Sequence, residues 1–138
     1  MRRKSKRRRN LSSGITESQI QIALVEWLEK ANFDLEFLSI PNEGAWRRRD
    51  LKAMGLRRGA ADLCFWGMRN IDLAWVELKL KKGRQSENQK IFQATADARG
   101  VPYILIKTDD PLEAIEILKG YIKKWTSNPA SKSCSPQS

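Results

Sequence analysis

Residues 74–83 read AWVELKLKKG, which sets a glutamate and a lysine into an otherwise apolar run. The alternation within IDLAWVELKL, residues 71–80, is that of a strand, the longest in the chain, which turns at KKGR. Side chains alternate across a strand, so Leu73, Trp75, Glu77 and Lys79 share one face while Ala74, Val76, Leu78 and Leu80 share the other. The second face is wholly apolar and needs a layer to cover it. The first holds a carboxylate and an ammonium about 7 Å apart by strand rise. A charge taken out of water is costly unless it is paired, metal-bound or neutralised.

On the N-terminal side, DLCFWG at 62–67 is a strand, and LEFLSI at 35–40 is another, ended by Pro41. Thr16 and Gln19 have capping-box spacing, and Ile20, Leu24, Trp27, Leu28 and Ala31 recur at helical intervals, which predicts a helix over 17–31. Advancing 100° per residue puts Glu17 on that apolar stripe and Glu26 opposite it. AWRRRDLKAM, residues 45–54, reads as a short basic helix stopped by Gly55. On the C-terminal side, Ser86 and Gln89 repeat the capping-box spacing and open a helix to about Arg99, with Gly100 as its stop. VPYILI at 101–106 is a buried strand, and Asp110 with Pro111 starts a last helix whose Ile115, Leu118, Tyr121, Ile122 and Trp125 form one stripe. The order αβ(α)ββαβα predicts an α/β fold, a mixed β-sheet flanked by helices.

At 138 residues, 41% of them apolar, the chain suits one compact domain with a single core, over residues 15–125. Twenty-six basic against sixteen acidic side chains give +10, an excess that favours polyanions: nucleic acid or an anionic membrane surface. Residues 1–9 carry seven of the positive charges, and 1–14 read as a basic arm, disordered alone; TSNPASKSCSPQS, residues 126–138, reads as a floppy tail. No apolar run approaches a transmembrane length, and MRRKSKRRR is followed by NLSSG rather than an apolar segment, so neither a membrane span nor a secretion signal is expected. A cytoplasmic or nuclear protein is left. Cys64 and Cys134 suggest neither a disulfide framework nor a zinc site. Histidine is absent, which excludes Ser-His and Cys-His nucleophilic machinery and leaves carboxylates, lysine and a hard metal.

Glu77 can hold a divalent cation with the Lys79 ammonium beside it, and Asp62 supplies a second carboxylate if its strand neighbours that of Glu77. Two carboxylates plus a backbone carbonyl, that of Leu78, are hard oxygen donors that suit Mg²⁺ with water completing its octahedron, and Mn²⁺ is expected to substitute. Such a cation acidifies a water and neutralises a phosphate oxygen, while Lys79 positions or deprotonates the nucleophile. Glu17 points inward and reaches the same place through water, and Gln89 can orient the lysine or a phosphate. No small-molecule cofactor is called for. Each of these residues also has a plainer reading. Glu-x-Lys on a strand is often a solvated ion-pair face, Asp62 can merely begin a strand, Glu17 suits a helix N-terminus, and Gln89 can be only a cap. Arg47, Arg48, Arg49, Lys52, Arg57, Arg58, Lys81, Lys82 and Arg84 suit either phosphate contacts or solvated surface. Trp66 and Trp75 read as core rather than as base-stacking platforms.

Taken together, TESQIQIALVEWL, IPNEG, GLRRGAADL, WVELKLKKGRQSENQ and the strand start after Gly100 resemble the virus-type replication-repair nuclease (VRR-NUC) domain of the PD-(D/E)XK superfamily. The similarity spans about Glu17 to Ile117, and the ordered set is more specific than any one motif. It implies a restriction-endonuclease-like core and Mg²⁺-dependent phosphodiester cleavage. Carried over by position, the aspartate of the PD motif is Asp62, the (D/E)XK pair is Glu77 and Lys79, the glutamate of the first helix is Glu17, and the trailing glutamine is Gln89. Ala61 stands where the family often has proline, which alters the turn and removes no ligand. The resemblance also implies a short stand-alone phage or bacterial protein, cytoplasmic in its host, that forms homodimers and cuts branched DNA such as four-way junctions or flaps. An unspecialised restriction-like or nicking endonuclease and a non-catalytic basic nucleic-acid-binding protein are the alternatives.

Overall fold

Both capping boxes form. The Thr16 hydroxyl accepts the Gln19 N–H at 3.2 Å and Gln19 Oε1 accepts the Thr16 N–H at 2.8 Å; Ser86 and Gln89 repeat the exchange at 3.2 and 2.8 Å. The computed structural model describes residues 14–41 and 57–127; the arm through residue 13, the 45–54 helix expected from the sequence and the chain beyond Ser127 lie outside them. In chain order the elements are α1 (Glu17–Ala31), β1 (Glu36–Ser39), β2 (Leu63–Trp66), β3 (Leu73–Lys79), α2 (Glu87–Ala98), β4 (Tyr103–Lys107) and α3 (Pro111–Thr126). Asn32 closes α1 in the left-handed region, and the Asp110 carboxylate accepts the Leu112 N–H at 2.9 Å to open α3.

The strands form one mixed sheet in the order β1-β2-β3-β4, with β1, β2 and β3 successively antiparallel and β3 and β4 parallel through the α2 crossover. The alternation read in β3 decides what each layer does. Ala74, Val76 and Leu78 join Leu63, Phe65 and Ile106 in a core covered by Ile20, Leu24 and Leu28 of α1 and Ala114, Leu118 and Ile122 of α3. On the opposite face α2 packs over β3 and β4, where Ala61, Ala96 and Tyr103 meet Trp75 and Phe92. The result is an α/β fold with helices on both faces of a mixed sheet. No helix among the described residues is long and apolar enough to cross a membrane.

Three expectations need correction. Trp66 is 47% exposed rather than core, because it lies on the α2 side of the sheet and α2 reaches only β3 and β4. Leu38, its neighbour on that face, is 45% exposed for the same reason. Ala31, counted in the α1 stripe, is exposed at the last helical residue. β3 is also shorter than 71–80: the Gly83 N–H donates to the Leu80 carbonyl at 2.8 Å, and this turn ends the strand at Lys79.

Candidate active site

Asp62 stands immediately before β2, Glu77 and Lys79 close β3, Glu17 opens α1, and Gln89 sits in the first turn of α2. Because β2 and β3 are antiparallel neighbours, the start of one lies beside the end of the other. The condition attached to Asp62 is thereby met, and its Oδ2 accepts the Leu78 N–H at 2.7 Å. The N–H and C=O of a strand residue leave the same edge, so the Leu78 carbonyl also leaves β3 on the Asp62 side. Lys79 Nζ stands 3.8 Å from Glu77 Oε1 and 3.9 Å from Glu17 Oε1. Both distances exceed hydrogen-bond reach, so the ammonium acts on the two carboxylates as a charge between them.

Glu77 is 1% exposed. Its Oε1 accepts Gln89 Nε2–H at 2.8 Å, and its Oε2 faces the Tyr103 hydroxyl at 3.4 Å. Gln89 is the expected cap through its amide oxygen, while its nitrogen donates to Glu77 rather than to the lysine. Burial above all, and then the Asp62 charge, push the Glu77 carboxyl from its ordinary 4.5 up to about 8, against the opposing pulls of Lys79 and the Tyr103 hydroxyl. Burial, followed by the Glu77 charge, also raises the Tyr103 hydroxyl above its usual value, so it keeps its proton and can donate.

This donor set fits a hard divalent cation. Two carboxylates whose proximity penalises ionisation are the arrangement that a cation relieves. Among the described residues no three acidic, histidine or cysteine side chains converge as a metal cage. Any cation held there would rest on two carboxylates, with water completing its shell.

Arg57, Arg58, Lys81, Lys82 and Arg84 are exposed in the segments that flank Asp62 and Lys79 at the same end of the sheet. Arg47, Arg48, Arg49 and Lys52 lie outside the described residues. Two contributions were not read from the sequence. Tyr103 appeared only as a buried strand residue, although its polar tip on a period-two face was a signal that it needs a partner. Gly59 was passed over within GLRRG; at φ +78° its Cα lies against the α2 backbone, and a Cβ there would fall 2.6 Å from the Gln89 nitrogen.

No family model matches the chain, and no curated protein matches it. A solved structure described as a "VRR_NUC domain protein" superposes with a TM-score of 0.60 at 20% identity, covering 80% of this chain and 90% of that one. The chain has a VRR-NUC-like, restriction-endonuclease-like fold.

Proposed function

We propose that this chain is a Mg²⁺-dependent DNA endonuclease that hydrolyses phosphodiester bonds. The observation that carries the reading is the burial of Glu77 beside Asp62 and Lys79 at the joined ends of β2 and β3. Asp62, Glu77 and the Leu78 carbonyl would hold the cation, with Glu17 acting through water. When bound, Mg²⁺ supplies an acidified water and neutralises charge on a phosphate oxygen. Lys79 orients or deprotonates the nucleophile, Gln89 keeps Glu77 in place, and the exposed Arg57, Arg58, Lys81, Lys82 and Arg84 take the flanking phosphates. A binder without catalysis is disfavoured, because buried and clustered carboxylates repel phosphate unless a cation intervenes.

Cleavage is expected to require Mg²⁺ or Mn²⁺ and to vanish in Asp62→Ala, Glu77→Ala and Lys79→Ala, while DNA binding persists. Gel-resolved cleavage and a parallel binding assay measure the two. Undiminished cutting in excess chelator, or by Glu77→Ala, rejects the site.

The preferred substrate is branched DNA, a four-way junction or a flap, cut by a homodimer. One site cuts one strand, and opposed cuts ask for two-fold symmetry. The apolar stripe of α3 is used in the core, so we assign the contact to the edge of β1 that no strand pairs among the described residues, beside exposed Leu38 and Ile22. Light scattering coupled to size exclusion, with and without a junction, is expected to give a dimer. A strict monomer that nicks linear duplex as fast as junctions leaves the chemistry and removes the branched-DNA reading.

A further inference from the structure

Glu77 has two oxygens, and each has a different holder. Gln89 donates to Oε1 at 2.8 Å, which alone leaves the carboxylate free to turn about its last bond, a torsion with broad wells. The Tyr103 hydroxyl faces the second oxygen at 3.4 Å. Tyr103 reaches it from β4 because its Cα pairs with Trp75, two residues before Glu77 on the same face, which makes the two side chains diagonal neighbours. The ring is itself anchored: it is 8% exposed and packs on Phe92 at 6.2 Å between centroids, while Phe92 meets Trp75 edge-on at 5.0 Å.

The neighbours of the phenol assign the direction of its hydrogen. A phenol carries one hydrogen and accepts through its lone pairs. Gln85 Nε2 donates to Tyr103 Oη at 3.3 Å and to Gln93 Oε1 at 3.0 Å. With Gln85 donating to its oxygen, the phenol directs its own hydrogen at Glu77. At 3.4 Å the contact is long for an O–H···O bond, so the hydroxyl limits the swing of Oε2 more than it grips it. Its removal should therefore be felt in how Glu77 is presented rather than in whether the chain folds.

We propose that Tyr103, oriented by Gln85, is a positioning residue that limits the swing of the second oxygen of Glu77 and so presents it to the divalent cation. The proposal rests on the reading of Glu77 as a cation ligand. The chain links Gln93 of α2 through Gln85 to Tyr103 of β4, which pairs with Trp75, and is built from residues outside the catalytic set.

The test uses the full chain with Tyr103→Phe, Gln85→Ala and the double variant. Mn²⁺ binding without DNA is followed by electron paramagnetic resonance of MnCl₂, alongside kcat, KM for labelled DNA and thermal melting. Tyr103→Phe is expected to weaken Mn²⁺ binding and to lower kcat, each by about three- to ten-fold, with KM for DNA and the melting point nearly unchanged. Gln85→Ala should lose less in the same direction, and the double variant should be no worse than Tyr103→Phe, because Gln85 acts only through the hydroxyl. Unchanged Mn²⁺ affinity in Tyr103→Phe, or losses that multiply in the double variant, overturn the proposal. If Tyr103→Phe does not fold, Gln85→Ala decides on the same readouts. A wild-type chain that binds Mn²⁺ but cuts no DNA rejects the nuclease reading and leaves the Mn²⁺ measurement to judge Tyr103; one that binds no Mn²⁺ rejects the proposal.

Discussion

A glutamate at the third position of α2 would complete its capping box as well as Gln89 does, since either side chain can accept the N-cap N–H. Only the amide also offers a donor to Glu77 Oε1, which is why glutamine rather than glutamate suits this position. Glu77 and Lys79 were legible because two charges on a period-two strand have no apolar explanation. Asp62 was legible only conditionally, because one sequence does not state which strands are neighbours. Tyr103 was not legible as a partner of Glu77, since the register across the α2 crossover has no local signature. The raised Glu77 carboxyl yields a prediction whose sign is fixed. Between the ordinary 4.5 and about 8, the folded chain holds a proton that the unfolded chain releases, so the Glu77 contribution to stability falls as pH rises through that window. Without a divalent cation, the wild-type melting temperature should therefore decline more steeply across it than that of Glu77→Gln. Mg²⁺ should recover more stability at the upper end of the window than at the lower, because the cation replaces the proton. Thermal melts with and without MgCl₂ check this, and equal pH slopes for the two proteins would show that Glu77 does not titrate as described.

At the scale of elements, the capping boxes, Pro111 and the glycine stop placed all three described helices close to their ends, because caps are local hydrogen bonds written in adjacent residues. Strand ends were less legible. The Leu35 N–H before β1 donates to the Phe33 carbonyl at 2.8 Å, and the Leu80 carbonyl after β3 accepts the Gly83 N–H at 2.8 Å, turn hydrogen bonds that carry no periodic signal. The exposure of Trp66 could not be read either, since it depends on whether α2 extends across the sheet beyond β3 to β2. Gly59 belongs to this scale because it lets the segment before β2 touch the start of α2, which brings Asp62 and Gln89 to one end of the sheet. Gly59→Ala combines a left-handed backbone at φ +78° with a Cβ driven into the Asn88 and Gln89 backbone. A loss of roughly 2–4 kcal/mol in urea unfolding is expected, from positive-φ strain added to overpacking. Cleavage measured where the variant is still folded should fall as well, because α2 must move and take the Gln89 amide from Glu77. A variant as stable and as active as wild type would show that the two segments need not touch.

For the whole molecule, charge separates affinity from chemistry. Seven of the positive charges lie in residues 1–9, so the rest of the chain carries only +3 of the +10, and its catalytic candidates all fall between Glu17 and Gln89. The arm should therefore add binding to DNA without entering the reaction. Each phosphate neutralised on duplex DNA contributes about 0.9 to the slope of log affinity against log salt. Removal of residues 1–9 should lower that slope by up to roughly 6 if all seven charges make contact, and by less if some remain in solvent. The folded part keeps Arg57, Arg58, Lys81, Lys82 and Arg84 exposed beside Asp62 and Lys79, which is enough to seat a few phosphates at low salt. The arm-deleted chain is accordingly expected to cut at low salt with kcat near that of the intact chain, and to lose activity earlier as salt rises, through weaker binding. Titrations of labelled DNA at several salt concentrations, paired with cleavage at saturating DNA, measure slope and kcat separately. Complete loss of cleavage with binding retained would place the arm in the chemistry instead of in the electrostatic capture of DNA.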